Sequence, residues 1–128
     1  VRYLLDTHTL IWWWDQTDRL SPNVIAVLQS RESDVFVSAA TAWELGTKFR
    51  FGKLPTLGAR IETYGQSLVE DGFKPLDVRP DHGLRGGLLG GDHRDPFDRL
   101  LAAQALVEDL TVLTRDPEIG RFGCKVFW

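Results

Sequence analysis

Short apolar runs alternate with helix-patterned segments along the whole chain, and this alternation restricts the fold more than any single residue does. VRYLLD at 1–6, DVFVS at 34–38, FKPLDV at 73–78, TVLT at 111–114 and the weaker KVFW at 125–128 read as strands. Runs that are apolar throughout suit strands covered on both faces, as in a parallel sheet between two helix layers. The expected architecture is therefore α/β, with three layers and a mostly parallel sheet. Pro75 lacks a backbone N–H and predicts an edge position for the third strand.

Helix starts are marked by residues that cap them. Ser21 followed by Pro22 predicts a helix to about Ser30, and Ser38 predicts one through AATAWELGTKFRF, stopping near Gly52. Ile61, Tyr64 and Leu68 at helical spacing predict one amphipathic helix over 59–71. In DPFDRLLAAQALVEDL, Asp95 stands at the N-cap, Pro96 at the first position and Asp98 at the third. Two segments are ambiguous. THTLIWWWDQTDRL reads as a loop or a short helix, and 79–94, with five glycines, as a loop or a glycine-weakened helix. With no repeat, linker or low-complexity tract, residues 1–128 are expected to form a single domain.

A hydrophobic share of 43% over 128 residues, with five Trp and seven Phe, is enough for a substantial core. The single Cys124 cannot form an internal disulfide, and there is neither a signal-type amino terminus nor an 18-residue apolar run. The expectation is a soluble, cytoplasmic protein without membrane contact.

Asp6, Glu44, Asp98 and Asp116 lie far apart in sequence, yet each follows or lies near a predicted strand. In an open α/β sheet such positions converge in the crevice beyond the carboxyl ends of the strands. Each acid also has a bland reading. Asp6 and Asp116 suit turns or helix caps, Glu44 stands four residues before Lys48 in the order of a helical ion pair, and Asp95 with Asp98 fits a capped helix start. Taken jointly they point further, because carboxylates sharing a pocket repel and a hard divalent cation removes that penalty. Mg²⁺ or Mn²⁺ suits all-oxygen donors. Zinc is disfavoured, since His8, His82, His93 and Cys124 show no ligand spacing. Such a site suits phosphodiester hydrolysis, with carboxylates supplying geometry and charge. Asp95 is mainly a cap with an auxiliary ligand role left open, and Thr114 is an auxiliary group placed to orient a ligand or water.

The formal charge of −3 argues against a polyanionic partner only until the four acids are set aside, when the remainder carries +1. Lys48, Arg50 and Lys53 crowd after Glu44, and Arg94, Arg99 and Arg115 sit beside the later acids. Local sign governs attraction of a polyanion more than the total does.

LLDTHTLIWW, SAATAWELGTKFRFGKL, HRDPFDRLLAAQA and TVLTRDP, in this order, resemble the successive motifs of PIN-domain ribonucleases, specifically the VapC toxins of toxin–antitoxin pairs. The resemblance spans nearly the whole chain and matches Asp6, Glu44, Asp98 and Asp116 to the family's four acids. It implies a PIN-like fold with a five-stranded parallel sheet, a Mg²⁺- or Mn²⁺-dependent endoribonuclease, a homodimer, and a cognate VapB-type antitoxin that occludes the active site. The chain departs from similar sequences at the Gly-rich GLRGGLLGG. Single-stranded or loop RNA is the expected substrate, because its phosphates can reach a pocket and its bases are open to reading.

Other classes fit less of the sequence. A phosphoaspartyl receiver needs an acid after its third strand, and the candidate Asp77 falls inside FKPLDV; a haloacid-dehalogenase-type phosphatase needs an Asp where His8 stands. GGLLGGDH lacks the Lys-Ser or Lys-Thr of a phosphate-binding loop. A catalytically idle binding module with the same fold is the remaining alternative. Trp12, Trp13 and Trp14 cannot all point into one core, so at least one is expected to meet a partner, either a dimer mate, an antitoxin or an RNA base.

Overall fold

The computed structural model describes residues 1–128. Five strands, β1 (Arg2–Leu5), β2 (Asp34–Ser38), β3 (Lys74–Leu76), β4 (Thr111–Leu113) and β5 (Val126–Phe127), form one sheet in the order β3-β2-β1-β4-β5. Every pairing is parallel. The helices are α1 (Thr7–Asp15), α2 (Pro22–Gln29), α3 (Ala39–Arg50), α4 (Gly58–Glu62), α5 (Tyr64–Glu70), α6 (Pro80–Leu88), α7 (Pro96–Glu108) and α8 (Pro117–Gly120). The α/β, three-layer reading holds, and β3 with its Pro75 lies at an edge.

Strand periodicity divides the core between the two faces. Leu5 and Leu113 belong to a cluster with Leu10, Ile11, Val24, Val37, Leu45 and Leu68. Their neighbours Leu4 and Val112 point to the opposite cluster, with Leu101, Ala102, Ala105 and Ile119. Helices α1, α2, α3 and α5 therefore cover one face, and α7 and α8 the other. A sheet buried on both sides is what the uninterrupted apolar runs demanded.

Where the sequence left a choice, local chemistry decided it. THTLIWWWD is helical because the Asp6 carboxylate caps it, accepting from the His8 N–H at 3.4 Å, and Thr9 Oγ1 donates to Leu113 O at 2.7 Å. The single helix expected over 59–71 is two, α4 and α5, broken at Thr63 (φ −113°, ψ 42°). Thr63 Oγ1 donates back to Ala59 O at 3.0 Å, a bond that competes with regular helix geometry, and Gly65 follows at once. Most of the Gly-rich segment is α6. Its Gly86 lies against α7, where an added Cβ would stand 3.4 Å from Arg99 O and 3.5 Å from the Leu100 Cα. An added Cβ there would be in ordinary van der Waals contact with α7, so the packing accommodates a glycine without demanding one.

The tryptophan run is largely absorbed by the chain itself. Trp12 is buried, while Trp13 and Trp14 are half-buried against the core, Trp14 donating from Nε1 to Asp71 Oδ2 at 2.7 Å. The exposed tryptophan is Trp43, on α3. β3 ends at Leu76, so Asp77 follows the strand instead of lying within it; it is exposed beyond an edge strand and does not line the acidic cleft. No helix is long and apolar enough to cross a membrane.

Candidate active site

All five acids singled out in the sequence come to the carboxyl edge of the sheet, where four helices start. Asp6 caps α1, Ser38 caps α3, Asp95 caps α7 and Asp116 caps α8. The helix N-termini carry partial positive charge and offset part of the carboxylate repulsion there. Glu44, Asp95, Asp98 and Asp116 line a cleft of ≈ 440 Å³ together with His8, Thr47, Lys48, Lys53, Phe51 and Phe97. A second depression of ≈ 400 Å³, between residues 28–35 and 69–73, holds none of them; its acids are Glu70 and Asp71, the latter accepting from Trp14.

Asp6 is the most deeply set of the acids, 5% exposed. Its Oδ2 accepts from Thr114 Oγ1 at 2.7 Å, and Thr114 Oγ1 in turn accepts the Asp116 N–H at 3.0 Å. One hydroxyl thus ties the acid after β1 to the acid after β4. Burial raises the Asp6 pKa, the Thr114 and His8 bonds work against that, and the charge of Glu44 adds to it.

Asp98 projects from the first turn of α7. Its Oδ2 lies 2.9 Å from His93 Nε2. Burial pushes its pKa up to about 6; His93 pulls it down, and repulsion from Asp95, Asp6 and Asp116 pushes it further up. The same contact raises the pKa of His93. Glu44, 7% exposed, pairs with Lys48 at 2.9 Å, so the expected helical ion pair is present and its carboxylate still faces the cleft. Asp95 is a cap, as expected: its Oδ1 accepts the N–H groups of Phe97 at 2.9 Å and Asp98 at 3.2 Å.

No three acidic, His or Cys side chains close around a common point as an ion-binding cluster. The carboxylates instead lean on nearby cations and donors, Glu44 on Lys48, Asp98 on His93 and Asp6 on Thr114. The donor set is still carboxylate oxygen throughout, two of its members are held above their ordinary pKa, and their charges oppose one another. That chemistry fits a hard divalent cation and does not fit zinc, which prefers nitrogen and sulfur.

An all-parallel sheet with acids gathered beyond its carboxyl edge, among helix N-termini, places the chain in the class of α/β domains that carry an acidic cleft. The chain belongs to the PIN-domain family, whose model matches residues 3–123. It is similar in structure to VapBC2 from Rickettsia felis, solved bound to a DNA fragment from their promoter, with a TM-score of 0.70, 17% identity and coverage of 99% of this chain and 98% of that one. It is also similar to FitAcB from Neisseria gonorrhoeae, with a TM-score of 0.72, 26% identity and coverage of 100% and 97%. No curated protein sequence matches it significantly.

The sequence reading missed His93 as the partner of Asp98, His8 and Thr47 on the cleft wall, and Thr9 as the strut beneath it. His93 had a usable signal, since it precedes the Asp95 cap in HRDPFD and so must lie at the mouth of α7. Thr9 had none, because its acceptor is 104 residues away.

Proposed function

We propose that this PIN domain is a metal-dependent endoribonuclease acting as the toxin of a toxin–antitoxin pair. The observation that carries the reading is that Glu44, Asp98 and Asp116 line one cleft, with Asp6 buried beside it and linked to Asp116 through Thr114, in a chain of a family whose members are generally nucleases. These four acids would hold Mg²⁺ or Mn²⁺. A bound divalent ion would supply Lewis-acid activation of water and charge neutralisation at the scissile phosphate. Asp98, steadied by His93, lines the cleft, and Asp6, fixed by Thr114, is buried near enough to Glu44 and Asp98 for their charges to interact. Lys48 and Lys53 on its wall attract the phosphate backbone and offset the acids. Asp95 orders the first turn of α7 and so sets the direction of Asp98.

The neighbours support a protein partner. Both similar structures are named as paired proteins, VapBC2 and FitAcB. A VapB-type antitoxin covering this cleft, and a homodimer of the chain, are the corresponding proposals here; the cytoplasm is the compartment in which such a pair meets RNA.

Purified, antitoxin-free protein incubated with a cellular RNA pool and Mg²⁺ or Mn²⁺ should produce discrete cuts that EDTA abolishes. Absence of cutting by a protein that binds Mn²⁺ would favour the idle binding module instead. Thr114→Val should keep the fold while lowering cleavage about 10- to 100-fold, because the supporting bond to Asp6 is lost. Thr114→Ser should restore most of it. Equal rates for Val and wild type would remove Thr114 from the site.

A further inference from the structure

The α3 ridge beside the acids carries aromatic surface that the fold does not use. Trp43 is 72% exposed and Phe51 is 63% exposed. They stand at i and i+8 with Thr47 between them, so the ridge spans about 12 Å along the cleft wall. Phe97, from the mouth of α7, packs edge-on to Trp43 with ring centroids 5.4 Å apart and an interplanar angle of 79°. Phe51 and Phe97 line the same cleft as Glu44, Asp98 and Asp116. Tryptophan is usually well buried, and a face of this kind left in water points to a contact.

We propose that Trp43, Phe97 and Phe51 form a stacking platform for unpaired nucleobases of a single-stranded RNA whose backbone lies in the acidic cleft; this rests on the nuclease reading. Two features of the ridge choose this occupant. The platform is continuous with the acids, so a chain lying across it delivers its phosphates to them. Its aromatics also alternate with cations: Lys48 and Lys53 line the cleft, and the Arg50 guanidinium lies 4.4 Å from the Phe51 ring centroid. Cations that follow a phosphate backbone beside aromatic faces that stack bases are the two halves of sequence-tolerant single-strand binding. The arrangement assigns substrate selection to α3: a paired region, whose bases are already stacked on one another, has no face to offer Trp43.

The test is fluorescence anisotropy of a labelled, unstructured RNA oligomer in Mg²⁺, on the full chain carrying Asp98→Asn to prevent turnover. Adding Trp43→Ala or Phe51→Ala should weaken binding about tenfold, the scale of one lost base stack. Trp43→Phe should keep most of the affinity, and an abasic oligomer of equal length should bind the parent and Trp43→Ala alike. Equal affinity of parent and Trp43→Ala for the base-bearing oligomer would overturn the platform while leaving the nuclease reading standing. A Trp43→Ala protein that loses self-association or antitoxin binding, with RNA affinity unchanged, would overturn it in favour of a protein interface. A parent that binds no RNA, together with wild type that cuts none, would overturn both.

Discussion

Asp98→Asn is expected to lower RNA cleavage by more than about 100-fold and, in EDTA, to make the protein more stable. The first effect follows from removing a charged oxygen donor, since loss of even a supporting contact at such sites lowers activity 10- to 100-fold. The second follows from the pKa of Asp98, pushed up to about 6 by burial and by Asp95, Asp6 and Asp116. Between the ordinary carboxylate value of 3.8 and about 6 the folded protein holds a proton that the unfolded chain releases. Stability contributed at low pH is therefore lost as pH rises through that window, and above it the folded state carries the whole penalty. Solvent screening in an open cleft reduces that penalty to about 1 kcal/mol. Asn carries no charge and keeps a carbonyl oxygen toward His93. At pH 8 in EDTA the variant should melt about 3–6 °C higher than wild type, and the gain should shrink toward pH 4. Saturating Mn²⁺ should reverse the order by stabilising wild type more. A variant that melts lower at every pH, or that cleaves at the wild-type rate, would contradict this reading of Asp98.

Leu113→Ala should be the most damaging single core substitution near the site. Leu113 is fully buried in β4, between β1 and β5, and removal of a buried leucine side chain costs about 2–5 kcal/mol once the residual cavity is included. Against a total stability of about 5–15 kcal/mol for a domain, that is a large share. The position also carries the site: Leu113 O accepts both the Thr9 hydroxyl at 2.7 Å and the Asp6 N–H at 3.3 Å. Urea unfolding should show a lower midpoint with little change in slope. Leu84→Ala, at a 68% exposed position on α6, is the control and should stay within about 0.5 kcal/mol of wild type. Similar losses for both variants would mean that the two-cluster core is wrongly drawn.

Features governed by local rules were legible in the chain. Ser21, Ser38 and Asp95 cap the helices they were expected to cap, because an N-cap needs only its own side chain and the next two or three N–H groups. The apolar runs gave all five strands, and the edge position of β3 followed from Pro75. Glu44, Asp98 and Asp116 line one cleft and Asp6 is buried beside it, as strand ends in a parallel sheet leave few other directions. Illegible features depended on neighbours distant in sequence or on competing local bonds. Thr63 broke a helix through one hydroxyl, and Thr114 found Asp6 across 108 residues.

Asp6, Glu44, Asp98 and Asp116 are proposed to hold a divalent cation together, as one site. The most direct test is Mn²⁺ titration followed by electron paramagnetic resonance on wild type and on Asp6→Asn, Glu44→Gln, Asp98→Asn and Asp116→Asn. The expected result is saturable binding by wild type that each substitution weakens, with Asp95→Asn weakening it least. Wild type that takes up no Mn²⁺, or four variants that bind it as wild type does, would contradict the claim.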